Sequence, residues 1–145
     1  MDSWATDGGV RRSMQSNRRR DTGPELALRR EVHRRGLRFF VDRAPLRELA
    51  RRRADLVFPR LKVAVYLDGC FWHGCPEHHS VSKTNAQFWA TKVANNRARD
   101  EDTNQRLEEA GWTVIRVWEH EDPAVAAAEI KAVVEKAKRH RPKNR

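Results

Sequence analysis

The chain has 145 residues, with 30 Lys or Arg against 20 Asp or Glu, a net charge of +10 and a sequence pI near 10.6. That length suits one domain with a real core. It holds no apolar run long enough for a membrane span and too few cysteines for a disulfide scaffold, and the N-terminal MDSWATDGGV lacks a signal peptide's basic-then-apolar pattern, so an intracellular, cytoplasmic protein is expected. Residues 1–60 carry sixteen Arg, no Lys and eight acids, so most of the excess charge lies there; Arg presents a planar fork of donors that suits phosphate, which points to a polyanionic partner such as nucleic acid, unless Arg merely replaces Lys on solvated faces.

Residues 1–20 are polar and basic, ending in Arg18, Arg19 and Arg20, and read as a flexible arm. Thr22-Gly23-Pro24-Glu25 is a capping box, so a helix is predicted from about Pro24 to Arg35, stopping at Gly36. Leu37–Val41 reads as a short strand and 42–53 as a charged connection ending in Arg51, Arg52 and Arg53. Ala54–Phe58 and Leu61–Leu67 read as two strands of an antiparallel hairpin around Pro59-Arg60. A long helix is predicted over Ala86–Ala110, closed by Gly111, then a strand over Trp112–Trp118. Asp122-Pro123 opens a last helix to about Lys138, with Ala124, Val125, Ile130, Val133 and Val134 toward the core; 141–145 is a basic tail. The expectation is one α/β domain over 21–140, a central sheet flanked by helices.

The stretch LDGCFWHGCPEHH, residues 67–79, holds both cysteines and three of the six histidines. Cys70, Cys75 and His78 have spacing that zinc accepts, and His120, after the last strand, is a plausible fourth ligand; His79 competes with His78. The alternative is two free thiols in a surface loop. Four ligands would close the site, making it structural. Such a clip would fix Phe71, Trp72 and His73, and rigid outward rings beside a basic surface suit wedging between bases. The plainer alternative is that Phe71 and Trp72 complete the core.

Asp55 stands in an otherwise apolar strand, either as an edge cap or where a nuclease places a magnesium ligand. Asp68 ends the next strand, and hairpin pairing could bring its neighbourhood close to Asp55. Glu25 is accounted for as the capping-box acid. On the long helix Trp89, Val93, Asp100 and Leu107 fall within about 20° of one line, which puts Asp100 on the apolar stripe. A buried carboxylate needs a partner. His73 is a candidate partner of Asp100, which would make it a general base of fixed tautomer; an Asp–Arg or Asp–backbone pair is the structural alternative.

These residues resemble the very-short-patch-repair (Vsr) mismatch endonuclease family. The resemblance runs from about Arg12 to Glu119 through Arg12-Ser13-Met14, Asp21-Thr22-x-Pro24-Glu25, Ala54-Asp55-Leu56-Val57, Gly69-Cys70-Phe71-Trp72-His73-Gly74-Cys75, Thr84-x3-Phe88-Trp89, Asn96-x3-Asp100 and Gly111-Trp112-x5-Trp118-Glu119. It implies a restriction-endonuclease-like core, a mixed sheet flanked by helices, with a structural zinc site at Cys70, Cys75, His78 and His120. It implies a magnesium-dependent nick of one DNA strand, 5′ of the T in a T·G mispair left by deaminated 5-methylcytosine. Position by position, Asp55 and the Leu67 main-chain carbonyl would hold magnesium, His73 would activate water and Glu25 would support the water network. Phe71, Trp72 and Trp89 would enter the stack, with Met14 from the other groove. The resemblance also implies a monomer on double-stranded DNA, at the nucleoid, with mismatch-repair proteins and a DNA polymerase as candidate partners. The chain departs from the pattern at Ala54, often Pro; at Asp68, His in some members; and at His120, Cys in some. Two rival readings stand beside it: a non-catalytic zinc-stapled DNA-binding module, and a nuclease of the same fold with another DNA substrate.

Overall fold

A computed structural model of the protein describes residues 23–69 and 86–140. The N-terminal arm, the cysteine loop and the basic tail lie outside the described residues.

Helix α1 spans Gly23–Arg34. Leu28 and Val32, one turn apart, are buried and give it a core face. It stops because Gly36 adopts φ +85°, a left-handed conformation that side chains resist, while its N–H returns to the His33 carbonyl at 2.9 Å. The expected strand at Leu37–Val41 begins later, as β1 over Phe40–Arg43. Leu37 is buried against the core instead, and pairing starts where Phe40 meets Val57. One apolar run thus serves first as a core plug and then as a strand.

Strands β2 (Ala54–Phe58) and β3 (Val63–Asp68) form the expected antiparallel hairpin, with Leu56 opposite Val65 and Phe58 opposite Val63. Leu61 belongs to the turn: its N–H bonds the Phe58 carbonyl at 3.1 Å, and Lys62 follows at φ +56°. Helix α2 spans Ala86–Glu109, and Gly111 at φ +90° turns the chain into β4, Thr113–Trp118. β4 runs parallel to β3, completing a mixed sheet of order β1-β2-β3-β4. Helix α3 spans Pro123–His140 and is capped where the Ala124 N–H bonds the Asp122 carboxylate at 2.9 Å. Ala126, Ala127, Ile130 and Val134 are its buried face; Val125, expected in the core, is 55% exposed because it falls off that stripe.

Helices α1 and α3 pack together on one face of the sheet, over Leu56, Phe58, Val63, Val65 and Val117. Helix α2 lies against β4 on the other face, with Leu107 among Val57, Ala64 and Tyr66. Helices on both faces of a mixed sheet fit a restriction-endonuclease-like core. Among the described residues no helix is long and apolar enough to cross a membrane. Alternation along the strands decides what faces α2: after Ala64 and Tyr66 comes Asp68 on β3, and after Val114 comes Arg116 on β4.

Candidate active site

Asp55 sits near the start of β2, so antiparallel pairing sets it beside the end of β3. There the Leu67 N–H donates to Asp55 Oδ2 at 2.6 Å. Glu25, in the first turn of α1 and only 8% exposed, hydrogen-bonds the Asp55 carboxyl. Its capping partner Thr22 lies outside the described residues, and the contact with Asp55 gives Glu25 a place in the site. Glu25 also faces Arg29, Oε1 to Nη2 at 3.4 Å. Burial pushes the Asp55 carboxyl up to about 8, helped by the hydrogen bond to Glu25 and by the charges of Glu25 and Asp68, while the Leu67 N–H pulls the other way. Asp55 and Glu25 are thus two carboxyl groups in contact, hard oxygen donors suited to a proton or a small cation.

Asp68, at the end of β3, is 7% exposed. Arg116 Nη1 reaches Asp68 Oδ1 at 3.0 Å and Asp100 Oδ1 at 3.3 Å, while its Nε donates to Asn104 Oδ1 at 3.0 Å. The guanidinium lies over the Tyr66 ring, 4.3 Å from its centroid. Asp100 therefore has the Asp–Arg partner of the structural alternative; His73, the other candidate, lies outside the described residues. Val93 and Leu107, which share the Asp100 stripe, are buried as expected, and only the backbone of Trp89 is described.

These groups open into a cleft of about 350 Å³ with Asp55, Leu67 and Asp68 on its floor and Arg51, Arg53 and Arg99 along its rim. The arginine run 51–53 is not uniform. Arg51 is exposed, and its carbonyl accepts from Arg99 Nη2 at 3.3 Å. Arg53 is exposed and pairs with Asp42 at 3.2 Å. Arg52 turns inward, bound to the Asp102 carboxylate and to Thr103 Oγ1 at 3.2 Å, and its carbonyl accepts the Tyr66 hydroxyl at 3.0 Å. Burial pushes that hydroxyl up to about 12, so it remains a donor.

The parallel register ends with Asp68 opposite Trp118, and the Glu119 N–H bonds the Asp68 carbonyl at 3.0 Å. His120 follows in an exposed turn, beside the point where the chain runs on toward Cys70. Cys70, Phe71, Trp72, His73, Cys75, His78 and His79 lie outside the described residues, as do Met14, Arg18, Arg19 and Arg20. Sequence reasoning passed over Arg116, Tyr66 and Arg99. The signal for Arg116 was present: it is the one charged residue within the strand Trp112–Trp118.

The model of the family described as DNA mismatch endonuclease Vsr matches residues 5–82, a span that includes Glu25, Asp55, Asp68 and the cysteine loop. The chain is 44% identical over 125 residues to the Type II nicking enzyme V.NaeI of Lentzea aerocolonigenes, covering 86% of this chain and 75% of that protein. It is 35% identical over 120 residues to the Type II nicking enzyme V.XorIIP of Xanthomonas oryzae pv. oryzae, covering 81% and 85%. It is 35% identical over 112 residues to the DNA mismatch endonuclease Vsr of Escherichia coli (strain K12), covering 74% and 67%.

Proposed function

The chain belongs to the DNA mismatch endonuclease Vsr family, and from that membership we propose that it nicks one DNA strand 5′ of the T in a T·G mispair, starting very short patch repair. The observation that carries this reading is Asp55, aligned by the Leu67 N–H and backed by Glu25 on the floor of an arginine-rimmed cleft.

Magnesium fits this donor set. Asp55 and the Leu67 main-chain carbonyl are hard oxygens that would hold it. When bound, the ion supplies polarisation of the scissile phosphate and charge against the leaving oxygen. Glu25 holds water at the Asp55 carboxyl, and His73 takes the proton of the attacking water. The product ends are a 3′-hydroxyl and a 5′-phosphate, ready for a polymerase. Phe71, Trp72 and Trp89, with Met14 from the other groove, open the stack beside the mispair, where less pairing and stacking is lost. Zinc on Cys70, Cys75, His78 and His120 pins the loop that carries the rings. The strand ends that bring His120 beside the entry to that loop support this ligand set.

The test is nicking of labelled T·G, A·C and matched duplexes, with magnesium present or withheld. T·G duplex should be cut only with magnesium, and His73→Ala should slow cutting by about a hundredfold or more. Equal turnover on matched duplex would point to a same-fold nuclease with another substrate. Binding without cutting would point to a DNA-binding module.

The three arginines should separate in a salt titration. Arg51→Ala and Arg53→Ala should each flatten the slope of log affinity against log salt by about 0.9, one phosphate contact apiece. Arg52→Ala should leave that slope unchanged and lower the melting temperature, since its guanidinium is spent on Asp102 and Thr103. A loss of slope in Arg52→Ala alone would reverse the assignment.

A further inference from the structure

We propose that Arg116 is a positioning residue for the reaction: its guanidinium fixes the Asp68 carboxylate in the Asp55 cleft, so that Asp68 serves as the second anionic wall of the cation site. The inference rests on the nuclease reading above.

Packing does not account for this residue. Arg116 lies in a strand where alternation would place an apolar side chain against α2, and its side chain is only 20% exposed. A buried guanidinium is unfavourable unless paired, and an apolar residue of similar volume would fill the space as well. The pairing shows what the charge is for. Its Nη1 is shared between Asp68 Oδ1 at 3.0 Å and Asp100 Oδ1 at 3.3 Å, Nε takes Asn104 Oδ1 at 3.0 Å, and one face rests 4.3 Å from the Tyr66 centroid. Tyr66 is tied in turn by its hydroxyl to the Arg52 carbonyl. The planar fork is therefore held from α2 by two side chains and from β3 by a ring, with Asp68 at its open end.

Asp68 directly follows Leu67, the residue whose N–H aligns Asp55, and its charge is felt at Asp55. Asp55 and Asp68 both line the cleft, and Glu25 stands behind Asp55. Arg29 serves Glu25 and Arg116 serves Asp68. Without Arg116 the repulsion between Asp55 and Asp68 would turn Asp68 outward, which removes an oxygen donor from the cleft.

The experiment measures Mn²⁺ binding by calorimetry on the zinc-replete full chain without DNA, alongside kcat and KM for nicking T·G duplex. Asp68→Asn and Arg116→Met should each weaken Mn²⁺ binding and lower kcat by about tenfold or more, the usual scale for groups that orient ligands, with KM for DNA little changed. The double variant should be no worse than the poorer single variant, because Arg116 acts on the cation site only through Asp68. Arg116→Lys keeps the charge but loses the fork; its smaller loss should vanish in an Asp68→Asn background, a comparison that stands if Arg116→Met does not fold. Additive losses in the double variant would overturn the proposal, as would wild-type Mn²⁺ affinity in Asp68→Asn. So would an Arg116→Met defect that disappears on cooling below its lowered melting temperature. If the wild type neither binds Mn²⁺ nor nicks T·G duplex, the nuclease reading fails and takes this inference with it.

Discussion

Asp55→Asn is expected to abolish nicking while stabilising the fold in the absence of magnesium. The two effects share one cause. At neutral pH the metal-free Asp55 carboxyl is held protonated by burial and by Glu25. In that form it accepts from the Leu67 N–H and stays hydrogen-bonded to Glu25. An asparagine reproduces the pattern, its Oδ1 accepting from Leu67 and its Nδ2 donating to Glu25, with no change of volume. It lacks the ionised form, and a neutral amide is a poor substitute for a carboxylate on a hard cation. The loss of several kcal/mol of transition-state stabilisation corresponds to a fall in single-turnover nicking of about a thousandfold or more. Near-wild-type cutting by Asp55→Asn would remove Asp55 from the chemistry.

The same residue sets a pH dependence of stability. The folded value of its carboxyl stands at about 8 against 3.8 for a free side chain. Between those limits the folded protein keeps a proton that the unfolded chain has released, so stability falls as pH rises. The contribution is fully present below about pH 4 and is lost as pH passes through about 8. Urea midpoints without added magnesium should decline across that window, and in Asp55→Asn the decline should be missing. Magnesium should oppose it at the upper end, because a ligand that binds the ionised folded state stabilises that state. A midpoint that rises with pH in the wild type but not in the variant would contradict the assignment.

What could be read from the chain were signals that act locally. Gly36 and Gly111 mark helix ends because their positive φ angles are open to glycine, and Asp122-Pro123 marks a helix start because a carboxylate caps and proline lacks an N–H. Asp55 stood out as a carboxylate beside Leu56, Val57 and Phe58, which left an edge cap or a metal ligand as its two readings. The same reasoning applies to Arg116, but its meaning depends on Tyr66 lying opposite it across the parallel β3–β4 pair. No short-range pattern states which strands will be neighbours. Glu25 was obscured for the opposite reason: the capping box explained it fully in local terms and hid its contact with Asp55, thirty residues away in sequence. Arg51–Arg53 read as one basic cluster, yet the entry into β2 turns Arg52 inward and leaves its neighbours out.

Cys75→Ser is expected to lower zinc content and stability together. The proposed ligands come from two places in the chain: Cys70, Cys75 and His78 after β3, and His120 after β4. The parallel pairing ends with Asp68 beside Trp118, so a metal shared between these segments would tie the cysteine loop to the sheet end that carries Asp55 and Asp68. A structural zinc contributes its binding energy to folding, and losing a thiolate should lower the melting temperature by about 10 °C or more. His120→Cys should retain zinc, because either donor completes a tetrahedron. His78→Ala should lose it and His79→Ala keep it, which separates the two neighbouring candidates. Mismatch discrimination, assigned to the rings at Phe71 and Trp72, should fall in Cys75→Ser more than affinity for matched duplex, assigned to Arg51 and Arg53. A folded, zinc-replete Cys75→Ser that still distinguishes T·G from matched duplex would detach the rings from the metal and leave the cysteines without their proposed role.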